Sequence, residues 1–408
     1  MQFLSFSLCQ ESKPSSVTTD LMSPRRREYQ GVIKDQLAGE LSSKVLAYQT
    51  KPPMPREALK IFYRSGKSLY STKKFGRRIP KEAVKKLDAP DIINDYYLNL
   101  MDWSSNNHLA VALGAEVYIW NAVTEEIQQV CQLEGPEEYV ASVKWVEEGS
   151  YLALGTSTGN IQLWDVEQNK MLRCLQGLDS RVASLSWNKW LVAAGCRSGE
   201  IQQSDTRMAD HVVASCRAHS QEVCGLAWST DGKYLASGGN DNILNIWASQ
   251  QQSLHTGPNP LHSLTSHMAA VKALAWCPWQ SNILASGGGT ADRTIKIWNT
   301  SNGQMVNSTD TKSQVCSLVW AGEYKELVSS HGSVNNEIII WKYPTMAKTA
   351  ELMGHTERVL HLCLSPDGSS LISAGADETL QLWECFTPDP NTKKPDRARQ
   401  SCLRVGIR

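Results

Sequence analysis

The sequence predicts an all-β fold, in which seven four-stranded sheets are arranged in a ring as a propeller. Two ladders of regularly spaced residues and one recurring polar quartet predict it. The first ladder advances by 44, 40, 43, 51, 43 and 42 residues: Trp120, Trp164, Ser204, Trp247, Trp298, Trp341 and Trp383. The second ladder keeps the same phase: Trp103, Trp145, Trp187, Trp228, Trp276, Trp320 and Leu364. Seven rungs at this period are typical of seven propeller blades.

The clearest single repeat is Leu235–Trp247, which reads LASGGNDNILNIW. Ser237, Asp241 and Trp247 stand at fixed spacing, and His219 lies upstream. Blades of the WD-repeat type use such a quartet, in which a turn aspartate accepts hydrogen bonds from the histidine. A buried carboxylate needs such partners because an unsatisfied one is costly.

Two further copies support this interpretation, and weaker copies fill the rest of the chain. One copy has the same spacing and the other has two extra residues in the turn: His355, Ser373, Asp377, Trp383, and His267, Ser286, Asp292, Trp298. Blade six has Lys312 where the histidine is expected. Blades one to three carry degraded quartets, and Ser204 replaces the tryptophan in blade three.

The propeller is expected to span residues 79–386, and the last blade lacks an obvious fourth strand after Trp383. The Ala83–Leu87 region is predicted to supply that missing strand. It would join the first and last blades and remove two exposed sheet edges. Residues 1–78 are then expected to be a disordered basic arm, and residues 387–408 a flexible tail.

Charge divides the chain although the net charge is zero. Residues 1–86 hold 18 Lys and Arg against 7 Asp and Glu, whereas the remainder holds 23 against 34. The basic arm is either a solvated tail or a segment that docks on acidic partners. No basic-aromatic module supports nucleic-acid binding.

Other signals argue against several functional classes. The eleven cysteines include no CxxC pair, which fits a reducing compartment better than a disulfide framework or a zinc site. No apolar run approaches membrane-spanning length. No nucleophile–base pair or metal cluster has plausible spacing. We therefore expect no catalytic residue, no metal and no cofactor, and a protein that is not an enzyme.

Several stretches closely resemble the Fizzy family, the WD-repeat activators and substrate receptors of the anaphase-promoting complex, a ubiquitin ligase. They are LDAPDIINDYYLNLMDWS (87–104), SQEVCGLAWSTDGKYLASGGNDNILNIW (220–247), AVKALAWCPWQSNILASGGGTADRTIKIW (270–298), EIIIWKYPTMAKTAELMGHTERVLHL (337–362) and the final Gly406-Ile407-Arg408. The resemblance implies an adaptor that binds degron-bearing substrates such as mitotic cyclins. It also implies ligase subunits and spindle-checkpoint proteins as partners, and a location in the cytoplasm and nucleus.

The family's receptor for the destruction box, an Arg-x-x-Leu-type degron, lies between the first and last blades. By resemblance, Asp88 and Glu378 take the motif's arginine, and Leu87 lies beside its leucine pocket. Paired carboxylates suit a guanidinium fork. The alternative is that both are ordinary solvated acids.

The family's receptor for the KEN-box degron lies near the central channel. The resemblance implies contacts from a carboxylate, a cation and polar side chains: Asp95, Tyr96, Asn240, Asn242, Thr290 and Arg358. Read structurally, Asn240 and Asn242 merely flank the Asp241 turn, where asparagine is common.

Two terminal segments also resemble family motifs. The 44–52 stretch, with Lys44, Val45, Leu46 and Pro52, resembles the mitotic branch's motif for a checkpoint HORMA protein. On its own it would be read as a linker, although such a segment can add a strand to a sheet edge. Ile407 and Arg408 resemble the tail that docks on a helical-repeat subunit of the ligase.

The chain departs from the family at one N-terminal motif. The family's C-box, Asp-Arg-Tyr/Phe-Ile-Pro, is not found, and Arg78-Ile79-Pro80 matches only its end. Either the chain lacks the start of the full protein, or it is a variant impaired in activation. The remaining alternatives are a non-activating variant that binds checkpoint proteins or substrates, and a generic WD-repeat scaffold.

Overall fold

A computed structural model describes residue 77 and residues 79–135, 137–249, 259–332 and 334–387. The predicted checkpoint motif at 44–52 and the tail residues Ile407 and Arg408 lie outside these residues. In the described part, 28 strands form seven four-stranded antiparallel sheets. The predicted seven-bladed all-β propeller is therefore confirmed. The described part includes no helix with the length and apolar character needed to cross a bilayer.

Blades one to six each use four consecutive strands, and the fourth strand of each is outermost. Blade one is β2 (Met101–Trp103), β3 (His108–Leu113), β4 (Glu116–Asn121) and β5 (Ile127–Gln132); blade two is β6 (Val140–Trp145), β7 (Tyr151–Thr156), β8 (Ile161–Asp165) and β9 (Lys170–Leu175); blade three is β10 (Val182–Asn188), β11 (Leu191–Cys196), β12 (Glu200–Asp205) and β13 (Val212–Arg217).

The later blades repeat the pattern. Blade four is β14 (Val223–Trp228), β15 (Tyr234–Gly239), β16 (Leu244–Ala248) and β17 (His262–Leu264); blade five is β18 (Val271–Trp276), β19 (Ile283–Gly288), β20 (Thr294–Asn299) and β21 (Gln304–Asp310); blade six is β22 (Val315–Ala321), β23 (Glu326–His331), β24 (Ile338–Lys342) and β25 (Ala347–Leu352); blade seven is β26 (Val359–Leu364), β27 (Leu371–Gly375), β28 (Thr379–Trp383) and β1 (Lys85–Asp88). Both predicted ladders fall on these blades, on the first and third strands of each.

The ring is closed by β1, which completes blade seven from the other end of the propeller. β1 pairs antiparallel with β28, from Lys85 opposite Leu382 to Asp88 opposite Thr379. Each innermost strand contacts the innermost strands of both neighbouring blades, and β26 contacts β2. The predicted closing strand therefore forms, at Lys85–Asp88 rather than Ala83–Leu87. Closure pairs an edge of β28 that would otherwise be open to other chains.

The predicted quartets form hydrogen-bonded networks in blades four, five and seven. In blade four, His219 Nδ1 lies 3.0 Å from an Asp241 carboxylate oxygen, and its Nε2 lies 2.8 Å from Ser237 Oγ. Trp247 Nε1 donates to the same hydroxyl at 2.9 Å. Burial opposes ionisation of Asp241, but hydrogen bonds from His219 and nearby backbone amides outweigh it and hold the carboxyl pKa below its usual value.

In blade six, the imidazole of the network comes from a histidine that sequence reasoning missed. His331, at the end of β23, places Nε2 2.7 Å from Ser329 Oγ, and Trp341 Nε1 donates to that hydroxyl at 2.7 Å. Lys312 does occupy the position at which the repeat predicts the histidine, but His331 supplies the imidazole instead. Here the imidazole comes from the strand itself rather than from the preceding loop.

His331 is expected to make the protein acid-sensitive. Burial lowers the pKa of its imidazole to about 4, so the folded state holds it neutral. An unfolded histidine has a pKa near 6.5. The stability that the protein gains from holding His331 neutral is therefore fully present above pH 6.5 and is lost as the pH falls toward 4. The shift corresponds to about 3 kcal/mol of unfolding free energy.

Urea unfolding of the protein and of His331→Gln, at pH values from about 7 to about 4, tests this expectation. The variant should lose about 3 kcal/mol less than the parent over that range, because glutamine does not titrate. Gln128→Ala, on an exposed residue of β5 that does not titrate, is the control and should follow the parent. Parallel curves for parent and His331→Gln would contradict the assignment.

Candidate functional site

The seam between blades seven and one brings Asp88 and Glu378 together in the backbone. Asp88 is the last residue of β1 and pairs with Thr379, the residue after Glu378. The next amide, that of Ala89, donates to the Glu378 carbonyl at 2.8 Å. Both side chains are exposed, and within the described residues neither carboxylate has a hydrogen bond or an ion pair. Two carboxylates therefore stand at neighbouring positions, open to a ligand.

Leu87 lies under the same seam. It pairs with Leu380 and packs, partly buried, against a hydrophobic cluster that includes Leu109 and Trp120 of blade one. Lys85 ties the strand to that blade, since its ammonium lies 2.8 Å from Glu125 and 5.5 Å from the centre of the Trp120 ring. The edge of β1 therefore lies between the last and first blades, beside apolar side chains of both.

A tight turn holds Glu378 in place. Glu378 has φ of 58°, in the left-handed region, directly after Asp377. The Asp377 carboxylate accepts from the Thr356 amide at 2.9 Å and the Thr379 hydroxyl at 2.8 Å, and it lies 3.0 Å from His355 Nδ1. Burial opposes its ionisation, but these hydrogen bonds prevail and lower the carboxyl pKa. The fold network of blade seven therefore positions the exposed Glu378 beside it.

A second polar region lies at one mouth of the central channel, where the crossing segment (residues 89–99) runs over the innermost strands. Asn99 donates from Nδ2 to the carbonyls of Ala183, at 2.7 Å, and Cys224, at 3.1 Å. Its amide donates to Ala141 at 3.1 Å. Nearer the middle of the segment, Arg358 donates to the side-chain and main-chain oxygens of Asn94, at 2.6 and 2.8 Å. The segment is thus fastened to blades two, three, four and seven.

Tyr96 fastens the middle of the crossing segment from inside. It is only 6% exposed, and its hydroxyl donates to the Val315 carbonyl at 3.1 Å. Burial raises the pKa of this phenol well above its usual value. The next residue, Tyr97, is partly exposed and donates to Asn240 Oδ1 at 3.0 Å. The side chain that faces the polar surface is therefore Tyr97, whereas the predicted contact Tyr96 lies beneath it.

Arg181 forms ion pairs with two carboxylates at this mouth. Its guanidinium makes two hydrogen bonds to Glu222, at 2.6 and 2.8 Å, and a third to Asp95 at 2.9 Å. Hydrogen bonding to Glu222 is the main reason that the pKa of Arg181 is raised above its usual value. Asp95 also accepts the Tyr97 amide at 2.9 Å. Asp95 is thus held in one orientation while its side chain stays 27% exposed.

The remaining predicted residues lie on turns around this mouth. Asn240 receives Tyr97 and donates to Gln221 at 2.7 Å. Asn242 has φ of 68°, the left-handed conformation that asparagine tolerates. Thr290 is exposed, and its carbonyl accepts Arg293 at 2.8 Å. Hydrogen bonds link Asp95 with Asn240 through Tyr97, and Arg358 with Asn94. Within the described residues, Asn242 and Thr290 stay separate from that network.

Sequence reasoning missed Arg181, Glu222 and Tyr97. The repeat contained the signal for Arg181 and Glu222. In blades two to seven the innermost strand begins with a valine, and the residue just before that valine lies at the channel mouth. Those residues are Tyr139, Arg181, Glu222, Ala270, Gln314 and Arg358. Only Arg358 of this set was predicted as a contact.

A closed ring of seven sheets, with Ser–His–Asp–Trp networks in blades four, five and seven, defines a WD-repeat propeller, here with open polar positions at its seam and at one channel mouth. The family model described as the CDC20/Fizzy WD40 domain matches residues 87–383. The chain belongs to the CDC20/Fizzy family.

Individual relatives agree over most of the chain. It is 47% identical to the Dictyostelium discoideum protein named anaphase-promoting complex subunit cdc20, over 91% of this chain and 77% of that protein. It is 44% identical to Arabidopsis thaliana cell division cycle 20.1, cofactor of APC complex, over 95% and 85%. A chain in a crystal structure of the mitotic checkpoint complex superposes with a TM-score of 0.73 and 43% identity, over 85% of this chain and all of that one.

Proposed function

We infer that this chain is a substrate-recognition adaptor and activator of the anaphase-promoting complex, which binds destruction-box and KEN-box degrons to promote mitotic protein degradation. Its membership of the CDC20/Fizzy family carries the inference. It binds ligase subunits, spindle-checkpoint proteins and degron-bearing substrates such as mitotic cyclins. Catalysis of ubiquitin transfer belongs to the other subunits, and the protein acts in the cytoplasm and nucleus.

The destruction box binds at the seam. Its arginine meets Asp88 and Glu378, and its leucine lies beside Leu87. The exposure of both carboxylates, their lack of partners in the described chain and the nearby apolar side chains support this assignment. A guanidinium can bridge two carboxylates with parallel charge-assisted hydrogen bonds.

The KEN box binds at the channel mouth. Asp95 takes the lysine, Arg358 the glutamate, and Asn240, Asn242 and Thr290 the polar groups of the motif. Tyr97 replaces Tyr96 as the exposed aromatic contact, because Tyr96 is buried and its hydroxyl is occupied. Arg181 and Glu222 are positioning residues that orient Asp95.

Each site contacts only a few residues of a substrate, so affinity for either motif alone is modest. Joint engagement of both motifs raises occupancy through effective concentration. The 44–52 stretch, which resembles the checkpoint motif, and Ile407-Arg408, which resembles the docking tail, add partners on the same principle. The longer alignments with proteins named cdc20 support the mitotic branch.

A reconstituted ubiquitination assay tests the function. It uses the purified complex without its own activator, the ubiquitin-activating and ubiquitin-conjugating enzymes, and a fluorescent cyclin fragment that carries both degrons. Adding this chain should accelerate ubiquitination of the fragment by about tenfold or more, since it brings substrate to the ligase. Asp95→Asn should slow only a fragment that relies on its KEN box, and Asp91→Asn, nearby in the same segment, should not.

Two outcomes would point elsewhere. Binding of the fragment without acceleration would favour the non-activating variant. Failure to bind any degron fragment, together with no acceleration, would leave a generic WD-repeat scaffold.

A further inference from the structure

The central channel encloses a cavity of about 470 Å³ beneath the crossing segment. Innermost strands of all seven blades line it. It continues toward the opposite face into a second cavity of about 440 Å³, with which it shares Asp102, Trp103 and Lys144. Small solutes therefore have a route to the channel from the side that the crossing segment does not cover.

Lys272 in this cavity is a buried cation without a counter-charge. The residue is 5% exposed, and its ammonium makes one long hydrogen bond, 3.4 Å, to the Leu360 carbonyl of blade seven. The Tyr96 ring lies 5.6 Å away and offers partial cation–π compensation. No carboxylate in the described part of the chain forms an ion pair with it. Burial lowers the pKa of this amine to about 8.

His361 adds an unpaired imidazole nitrogen to the same cavity. It follows Leu360, the residue whose carbonyl Lys272 reaches, and it is 5% exposed. Its Nε2 is fully buried and has no hydrogen-bond partner in the described part of the chain. A buried polar atom of this kind is rare, because leaving it unpaired has a substantial free-energy cost.

The other charges of the cavity already satisfy each other. Lys144 lies 2.6 Å from Asp102, which also accepts the Trp145 amide at 2.9 Å. That pair leaves no free carboxylate for Lys272. The cavity is therefore lined by a lysine without an ion-pair partner in the described chain and by an unpaired imidazole nitrogen, Lys272 Nζ and His361 Nε2.

We propose that the channel binds a small tetrahedral oxyanion of the phosphate class, held by Lys272 Nζ and by a proton on His361 Nε2. Such an anion supplies the missing counter-charge and accepts from the orphan imidazole nitrogen. A water molecule alone would satisfy the imidazole but not the charge, and the ammonium excludes a metal cation. The site lies on the inner side of Tyr96 and is independent of degron recognition.

Isothermal titration of the protein with inorganic phosphate, at constant ionic strength set with chloride, tests the proposal. We expect one saturable site. Lys272→Met should weaken phosphate binding by about tenfold or more, because it removes a charge-assisted hydrogen bond. His361→Phe should weaken it by about threefold or more, and Lys272→Arg should retain it.

Lys170→Met is the matched control, because Lys170 is an exposed lysine on β9, the outermost strand of blade two, away from the channel. Its phosphate affinity should stay within about twofold of the parent. Far-UV circular dichroism and thermal unfolding show whether each variant folds, and Lys272→Arg and His361→Phe decide the matter if Lys272→Met does not. Without phosphate, Lys272→Met should melt at a higher temperature, since a buried unpaired charge is gone. Absence of a saturable site, or equal phosphate affinity in the parent, His361→Phe and Lys272→Met, would overturn the proposal.

Discussion

Replacing Asp88 and Glu378 together by their amides is expected to weaken binding of a destruction-box peptide by about 100-fold. On the proposed assignment, each carboxylate makes a charge-assisted hydrogen bond to the peptide arginine, worth about 1.5 kcal/mol for an exposed site, or about tenfold in affinity. The amides keep the shape of the side chains and remove only the charge. Fluorescence anisotropy with a labelled peptide measures the change.

A control variant and a control peptide test whether the two carboxylates bind the arginine. Glu384→Gln alters the same charge just after β28, at the opposite end of that strand from Glu378, and should leave peptide affinity unchanged. A peptide whose arginine is replaced by alanine should bind the parent and the double variant about equally, because its partner is gone in both. If the double variant still distinguishes arginine from alanine by the parent's factor, the carboxylates do not read the arginine.

Asp377→Ala is expected to lower the free energy of unfolding by about 3 kcal/mol and to abolish destruction-box binding. The change leaves the Thr356 amide, the Thr379 hydroxyl and His355 without their shared acceptor inside blade seven. It also releases the left-handed turn at Glu378. Urea unfolding and the same anisotropy assay report the two effects.

Asp367→Ala supplies the comparison within the same blade. Asp367 accepts hydrogen bonds from Ser365 and Ser369 in an exposed turn, so its loss should cost about 1 kcal/mol or less. Peptide affinity should not change. Equal destabilisation by Asp377→Ala and Asp367→Ala would show that the quartet does not hold the blade.

The fold could be predicted because each blade repeats the same physical problem. A carboxylate in a tight turn needs fixed partners, so Ser237, Asp241 and Trp247 recur at a spacing that leaves little freedom. The closing strand was predicted within two residues, since β28 needed a partner and only the segment before blade one was free. Its register, which sets Asp88 opposite Thr379, depends on side-chain packing that no single segment reveals.

The channel mouth was harder to predict. Burial in the crossing segment alternates from Asp95 to Leu100, so Tyr96 faces inward and Tyr97 outward. Two adjacent tyrosines give no local hint of that choice, although the leucines at 98 and 100 share the phase of Tyr96. Arg181 meets both Glu222 and Asp95 only because the starts of blades three and four converge there with the crossing segment. His331 was missed because the network of blade six takes its imidazole from a strand rather than a loop.

The closure of blade seven by β1 has a consequence during synthesis. β1 leaves the ribosome before any complete blade, and its partner β28 is made after all the other strands. Until translation reaches Trp383, the nascent polypeptide has no seam between blades seven and one. On the proposed assignment, a prematurely terminated product therefore cannot bind a destruction box at this groove.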